Sequence, residues 1–215
     1  METIVKKSLS KNKEDFFNDF SWMTQLTKEQ FQYLKSISIS QEIEKRRCLL
    51  NEMRNNYLSV KSKNLEVFQK LSGNFFPPFD REDLISVTIS FRSINKKLYD
   101  LARRIVLYSA DIASSNGLFQ LTELLEKIVK YYSDLVDLCK NFKKTTKMID
   151  LIVQMNKQIY SAIELSDESI LDLFDEKLSE KNILKYKEIF QNYQSFFQYY
   201  LELGQVIEGM IVKYA

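Results

Sequence analysis

The 215-residue chain contains no histidine. The side chain used most often as a general base or metal ligand is therefore missing. No glycine-rich phosphate loop, nucleophile elbow or zinc-ligand spacing occurs either, so the expectation is a non-enzymatic protein without a cofactor. Glycine appears four times and proline twice. So few punctuating residues leave little room for the turns of a sheet protein. The two cysteines, Cys48 and Cys139, stand far apart and form no metal spacing, which reads as two free thiols rather than a disulfide. No stretch approaches the ~18 consecutive apolar residues of a membrane span. The opening residues, Met1 to Lys7, lack the apolar core of a signal peptide. A cytoplasmic protein with no integral membrane segment is expected. Charge of one sign is also lacking: 31 basic and 29 acidic residues give a net +2. Phosphate backbones need a concentrated basic face, so nucleic acid is not expected as a partner.

What is present is helical periodicity. From Leu118 to Phe142 apolar residues recur by threes and fours over about seven turns, the mark of one amphipathic helix. Similar patterns run over 16–37, with a break expected near Thr27, and over 42–71, 84–112, 148–174 and 183–214. The expected stripe of the second helix is Leu49, Leu50, Met53, Tyr57, Leu65 and Phe68. That of the third is Ile85, Thr88, Phe91, Ile94, Leu98, Leu101, Ile105 and Tyr108. That of the fifth is Ile149, Ile152, Val153, Ile159, Ile163, Ile170, Leu171 and Phe174, with an irregularity near Ser166. Asp80 is placed to cap the third helix and forms a capping-box-like pair with Asp83. Residues 114–117 (Ser-Ser-Asn-Gly) read as a turn at the midpoint. The fold class is all-α: six long helices with short loops, packing as antiparallel neighbours in two three-helix bundles, 1–113 and 114–215.

Two features invite chemistry. Glu164, Glu168, Asp172 and Glu176 repeat at i, i+4 and share a helix face, as ligands of a hard cation do. A solvated face is the plainer reading, since no second acid-rich helix answers it. In the last helix, Phe196, Phe197, Tyr199 and Tyr200 cover more than one face. They serve either as core or, in part, as a subunit or partner interface.

The segment Asn74-Phe75-Phe76-Pro77-Pro78-Phe79-Asp80-Arg81-Glu82-Asp83-Leu84, then Ala102-Arg103-Arg104-Ile105-Val106-Leu107-Tyr108, resembles the signature of PhoU-like phosphate transport regulators. So do Ile170-Leu171-Asp172-Leu173-Phe174, Lys187-Glu188-Ile189 and Ile211-Val212-Lys213-Tyr214-Ala215. The resemblance implies two three-helix bundles in one PhoU-like unit. It also implies a regulatory role beside a membrane phosphate permease.

Members of that family typically hold metal clusters through four acid-x-x-x-Asp motifs. Counted from the matching segments, the motif positions here fall on Tyr57 and Lys61, Arg92 and Lys96, Ile159 and Ile163, and Gln194 and Gln198. None is a carboxylate. A cation near Lys61, Arg92 and Lys96 would be repelled by about 4 kcal/mol per charge at ~4 Å, and isoleucine offers no donor atom. The expectation is a degenerate member without the metal clusters. Its basic residues Lys61, Arg92 and Lys96, with Lys97, are a candidate anion-binding set. Two functions follow: regulation of a Pit-type phosphate permease or other membrane complex by protein contact, or a homo-oligomeric scaffold or sensor binding a small anion.

Overall fold

A computed structural model describes residues 2–73, 77, 79–112, 115–140, 142–175 and 178–214, with side chains from residue 14 onward except Lys143 and Asp175. Six helices form: α1 (Glu2–Ile39), α2 (Ile43–Gly73), α3 (Arg81–Leu107), α4 (Asn116–Cys139), α5 (Thr145–Asp175) and α6 (Glu180–Tyr214). A 3₁₀ turn, Phe142–Lys144, leads into α5, and the described residues contain no strand. Residues 74–76, 78, 114, 176 and 215, which figure in the sequence reading, lie outside the described residues.

Helices α2, α3, α6 and α5 lie side by side in that order as one layer, and α1 and α4 pack together beneath it. Helix α1 covers α2 and α3, while α4 lies chiefly against α5. Two helix triplets, α1–α3 and α4–α6, are thus joined through α3 against α6 and α1 against α4. An aromatic chain ties the layers together through the middle. Phe20 stacks on Phe91, Phe91 meets Tyr132, and Tyr132 meets the edge of Tyr200, which meets Phe196. At one end Phe17, Phe79, Phe142 and Tyr214 close the molecule. Such edge-to-face pairs contribute about 0.5–1.5 kcal/mol each beyond area burial.

Several local expectations are corrected. Helix α1 runs through Thr27 without a break, and α5 runs through Ser166. In each case the hydroxyl donates to the carbonyl four residues back, Thr27 to Met23 and Ser166 to Ala162, which satisfies it inside the helix. Asn116 and Gly117 belong to the first turn of α4, with Ser115 as its N-cap. Helix α3 stops at Leu107, five residues early, because Ser109 takes a left-handed φ of 47°. The Ala110 amide then reaches the Ile105 carbonyl and the Tyr108 amide reaches Arg104, a left-handed helix stop.

Three stripes also change. In α5 the buried row is Met148, Ile152, Met155, Ile159, Ala162, Ser166, Ser169 and Leu173, while Ile149, Val153, Leu171 and Phe174 are exposed. Two apolar rows run beside each other on α5, and the row with smaller and more flexible side chains is the one that meets its neighbours. In α2 the buried row is Met53, Val60, Asn64, Val67 and Leu71, and Leu65 faces water. Asn64 qualifies because its amide donates to the Thr88 carbonyl across α3. In α3 the buried row gains Leu84, Val87 and Asn95, and Ile85 is exposed.

Asp80 does cap α3 by position, yet its carboxylate makes no capping bond. Asp83 and Asp80 instead accept from Lys213 Nζ at 3.0 and 3.3 Å, and Asp83 accepts from the Tyr214 hydroxyl at 2.9 Å. Charge-assisted bonds to Lys213 outcompete a neutral backbone amide.

Candidate functional site

The outward side of α2 and α3 carries the basic residues singled out above. On α2, Tyr57 is half-buried, and its ring stacks on Tyr99 of α3 with centroids 6.2 Å apart and planes 4° off parallel. One turn on, Lys61 is exposed. On α3, Lys96 pairs with Asp100 at 2.7 Å. That hydrogen bond raises the Lys96 pKa above the ordinary lysine value, against a smaller opposing effect of burial. Tyr57 and Tyr199 both lie close enough to Lys96 to act on it electrostatically. Lys97 donates to the Ser195 hydroxyl of α6 at 3.0 Å, and its ammonium lies 5.5 Å from the centre of the Tyr199 ring. Such a cation over a ring contributes about 0.5–1 kcal/mol at exposed sites. Arg92 is half-buried. Neither Arg92 nor Lys61 has an ion-pair partner among the described residues.

Lys96 and Lys97 are thus drawn together with three half-buried tyrosines, Tyr57, Tyr99 and Tyr199. Tyr99 was missed in the sequence, although it stands three residues after Lys96 and so on the same face. Of the aromatic group near the end of α6, Phe196, Phe197 and Tyr200 are buried and Tyr199 alone stays on the surface.

The positions on α5 and α6 do not converge in the same way. Ile159 is fully buried in the core and Ile163 is half-buried. Gln194 donates to Asp167 at 2.6 Å, one turn beyond Ile163, and Gln198 is exposed. Glu164, Glu168 and Asp172 of the acidic ladder are exposed, and Glu176 lies outside the described residues. No group of three or more Asp, Glu or Cys residues able to hold a metal occurs among the described residues. Glu168 and Asp172 do line a cleft of about 440 Å³ where α4 begins, opposite Tyr186 and Phe190 of α6.

Two further contacts fix α6 on α3. Arg104 pairs with Glu188 at 2.7 Å, and the Tyr108 hydroxyl also bonds Glu188. That bond raises the Tyr108 pKa. At the other end stands the Asp83–Lys213–Tyr214 group.

Solved structures show the same arrangement. A PhoU-like protein from Shewanella oneidensis MR-1 superposes with a TM-score of 0.72 at 13% identity, over 92% of this chain and 99% of that one. This chain has the PhoU-like fold. A putative PhoU-like phosphate regulatory protein from the same organism gives 0.70 at 11% identity, over 95% and 99%. No protein-family model and no curated protein matches the sequence. The PhoU-like fold agrees with the all-α architecture expected from periodicity. The segments that carried the resemblance meet in space: Asp83 with Lys213 and Tyr214, and Arg104 and Tyr108 with Glu188. No helix among the described residues is long and apolar enough to cross a membrane.

Proposed function

We propose that this chain is a non-enzymatic regulatory or accessory protein that acts on a membrane phosphate permease, or another membrane complex, by protein contact. The observation that carries the reading is the outward face of α2, α3 and α6, where Tyr57, Tyr99 and Tyr199 stand beside Lys96 and Lys97. Tyrosine is enriched where proteins dock because its ring gives contact area, and charges around it steer and orient the partner. The rings and ammonium groups are held by stacking and by bonds to Asp100 and Ser195, so docking would order few side chains afresh. A PhoU-like phosphate regulatory protein among the structural neighbours supports the phosphate-transport setting.

The same face argues for loss of the family's metal clusters. Its motif positions offer Lys61, Arg92 and Lys96, which repel cations, and away from this face the α5 position Ile159 is buried and has no donor. A photo-crosslinking residue in place of Lys61 should capture one cytoplasmic segment of a membrane protein in the native host. The same residue in place of the exposed Gln32 of α1 should not. Equal capture from both positions would sink the docking face.

A second reading is favoured by one specific observation, the absence of an ion pair at Lys61 and Arg92 among the described residues. In it, a homo-oligomeric scaffold or sensor binds a small anion at Lys61, Arg92 and Lys96. Inorganic phosphate at 100 times its Kd would then stabilise the protein by about 2.7 kcal/mol. A thermal midpoint indifferent to phosphate would rule that reading out.

A further inference from the structure

The cleft at the start of α4 has a chemistry unlike the rest of the surface. One wall is α5, with Glu168 and Asp172 one turn apart, and another is α6, with Tyr186 and Phe190 one turn apart. Among the described residues neither carboxylate forms an ion pair, and no lysine or arginine lines the cleft. Between the carboxylates in sequence sits Ser169, which also lines the cleft. It is only 8% exposed, yet its hydroxyl has no hydrogen-bond partner among the described residues. That hydroxyl opens on the cleft, so it is free to bond to whatever occupies the space. Gly117 keeps that space: a Cβ there would come within 2.3 Å of the Ser169 Oγ.

We propose that this cleft binds a small organic cation, a primary ammonium carried on an apolar body. Its N–H groups would be shared between the Glu168 and Asp172 carboxylates and the Ser169 hydroxyl, and its body would lie against Phe190 and Tyr186. Three donors on an ammonium match three acceptors on one helix face. The aromatic wall suits a cation as well. The Lys185 ammonium, which is not part of the cleft lining, sits 4.7 Å from the centre of the Tyr186 ring. An anion is disfavoured by two carboxylates without an ion pair among the described residues, and a divalent metal by the lack of a third Asp, Glu or Cys ligand among those residues. At about 440 Å³ the cleft is in the range of small-molecule sites. The site shares no residue with the α2–α3–α6 face, so it stands or falls independently of the docking reading.

The test uses phenethylammonium as probe and the ¹⁵N-labelled full chain. The chain has four glycines, so their amide signals are few, and Gly117 is the one at the cleft. Titration should move the Gly117 signal progressively and leave Gly73 and Gly209, which stand in open space, unmoved. The neutral isostere 2-phenylethanol should have little effect. Glu168→Gln with Asp172→Asn should weaken the amine about tenfold or more, and Ser169→Ala should weaken it by a smaller factor. An unmoved Gly117, equal response to the alcohol, or an unchanged affinity in the double variant would overturn the proposal. So would a Gly117 shift with magnesium chloride and none with the amine.

Discussion

Gly117 has no room for a methyl group. Besides the Ser169 Oγ, an added Cβ would meet the Ser169 Cβ at 3.1 Å and Phe190 at 3.4 Å. Gly117→Ala should therefore lower stability by about 1–3 kcal/mol in denaturant titration. It should cost less when Ser169→Ala is already present, because the nearest clash is with the hydroxyl. Ser109 presents the opposite case, a side chain where glycine is preferred. Its φ of 47° at the end of α3 strains any L-residue, so Ser109→Gly should stabilise by about 0.5–1 kcal/mol. The two thiols differ as well. Cys48 is exposed, whereas burial pushes the Cys139 thiol up to about 12. A thiol reagent should titrate one cysteine in the native protein and both in denaturant. At this scale the sequence was least legible. The burial of Arg46, which donates to the Ser40 and Ala110 carbonyls at 2.6 and 2.9 Å, comes from a partner 64 residues away. Nothing in the local pattern of a charged residue announces that.

At the scale of single elements, periodicity located all six helices but misjudged which face of two of them turns inward. Helix α5 has two apolar rows side by side, and a spacing rule gives both equal weight. The choice falls to Met155, Ala162, Ser166 and Ser169, whose small or flexible side chains let α4 and α6 come close. Helix ends were shifted for a related reason. The stop after Leu107 depends on the backbone of Ser109, not on a residue type that favours stopping. The candidate site was half legible. The sequence singled out Lys61, Arg92 and Lys96 as a candidate basic set and Tyr199 among aromatics of core or interface, while Tyr99 joined them only once α2, α3 and α6 were placed together. The contact of those helices can be measured directly. Arg104 and Glu188 are each about one-third exposed and are joined at 2.7 Å. A double-mutant cycle with Arg104→Met and Glu188→Gln should return a coupling of about 0.5–1 kcal/mol, smaller in high salt. A coupling of zero would mean the pair does not help clamp α6 to α3.

For the whole molecule, three fully buried tyrosines set the alkaline limit. Burial raises the pKa of Tyr132, Tyr193 and Tyr200, with Tyr193 pushed up to about 12. In the unfolded chain the same groups titrate near their ordinary value of 10.0. Their protonated forms are favoured in the fold, so stability is full below pH 10 and falls as pH rises from there through the folded values. Each tyrosine contributes a slope of about 1.4 kcal/mol per pH unit in that window. Alkaline unfolding followed by circular dichroism should begin above pH 10 and be steeper than one proton allows.

The resemblance seen in the sequence also acquires a physical meaning at this scale. Asp83 with Lys213 and Arg104 with Glu188 hold the two helix triplets together, so those segments report how the fold is clamped. They say nothing about metal use, which depends on the intervening face. The central claim is that this face has exchanged cation binding for protein contact, and elemental analysis addresses it most directly. After incubation with iron, zinc or manganese and exhaustive dialysis, the protein should carry less than about 0.1 ion per chain, since Lys61, Arg92 and Lys96 repel cations. Stoichiometric metal, released when Tyr57, Gln194 or Gln198 is replaced, would contradict the account.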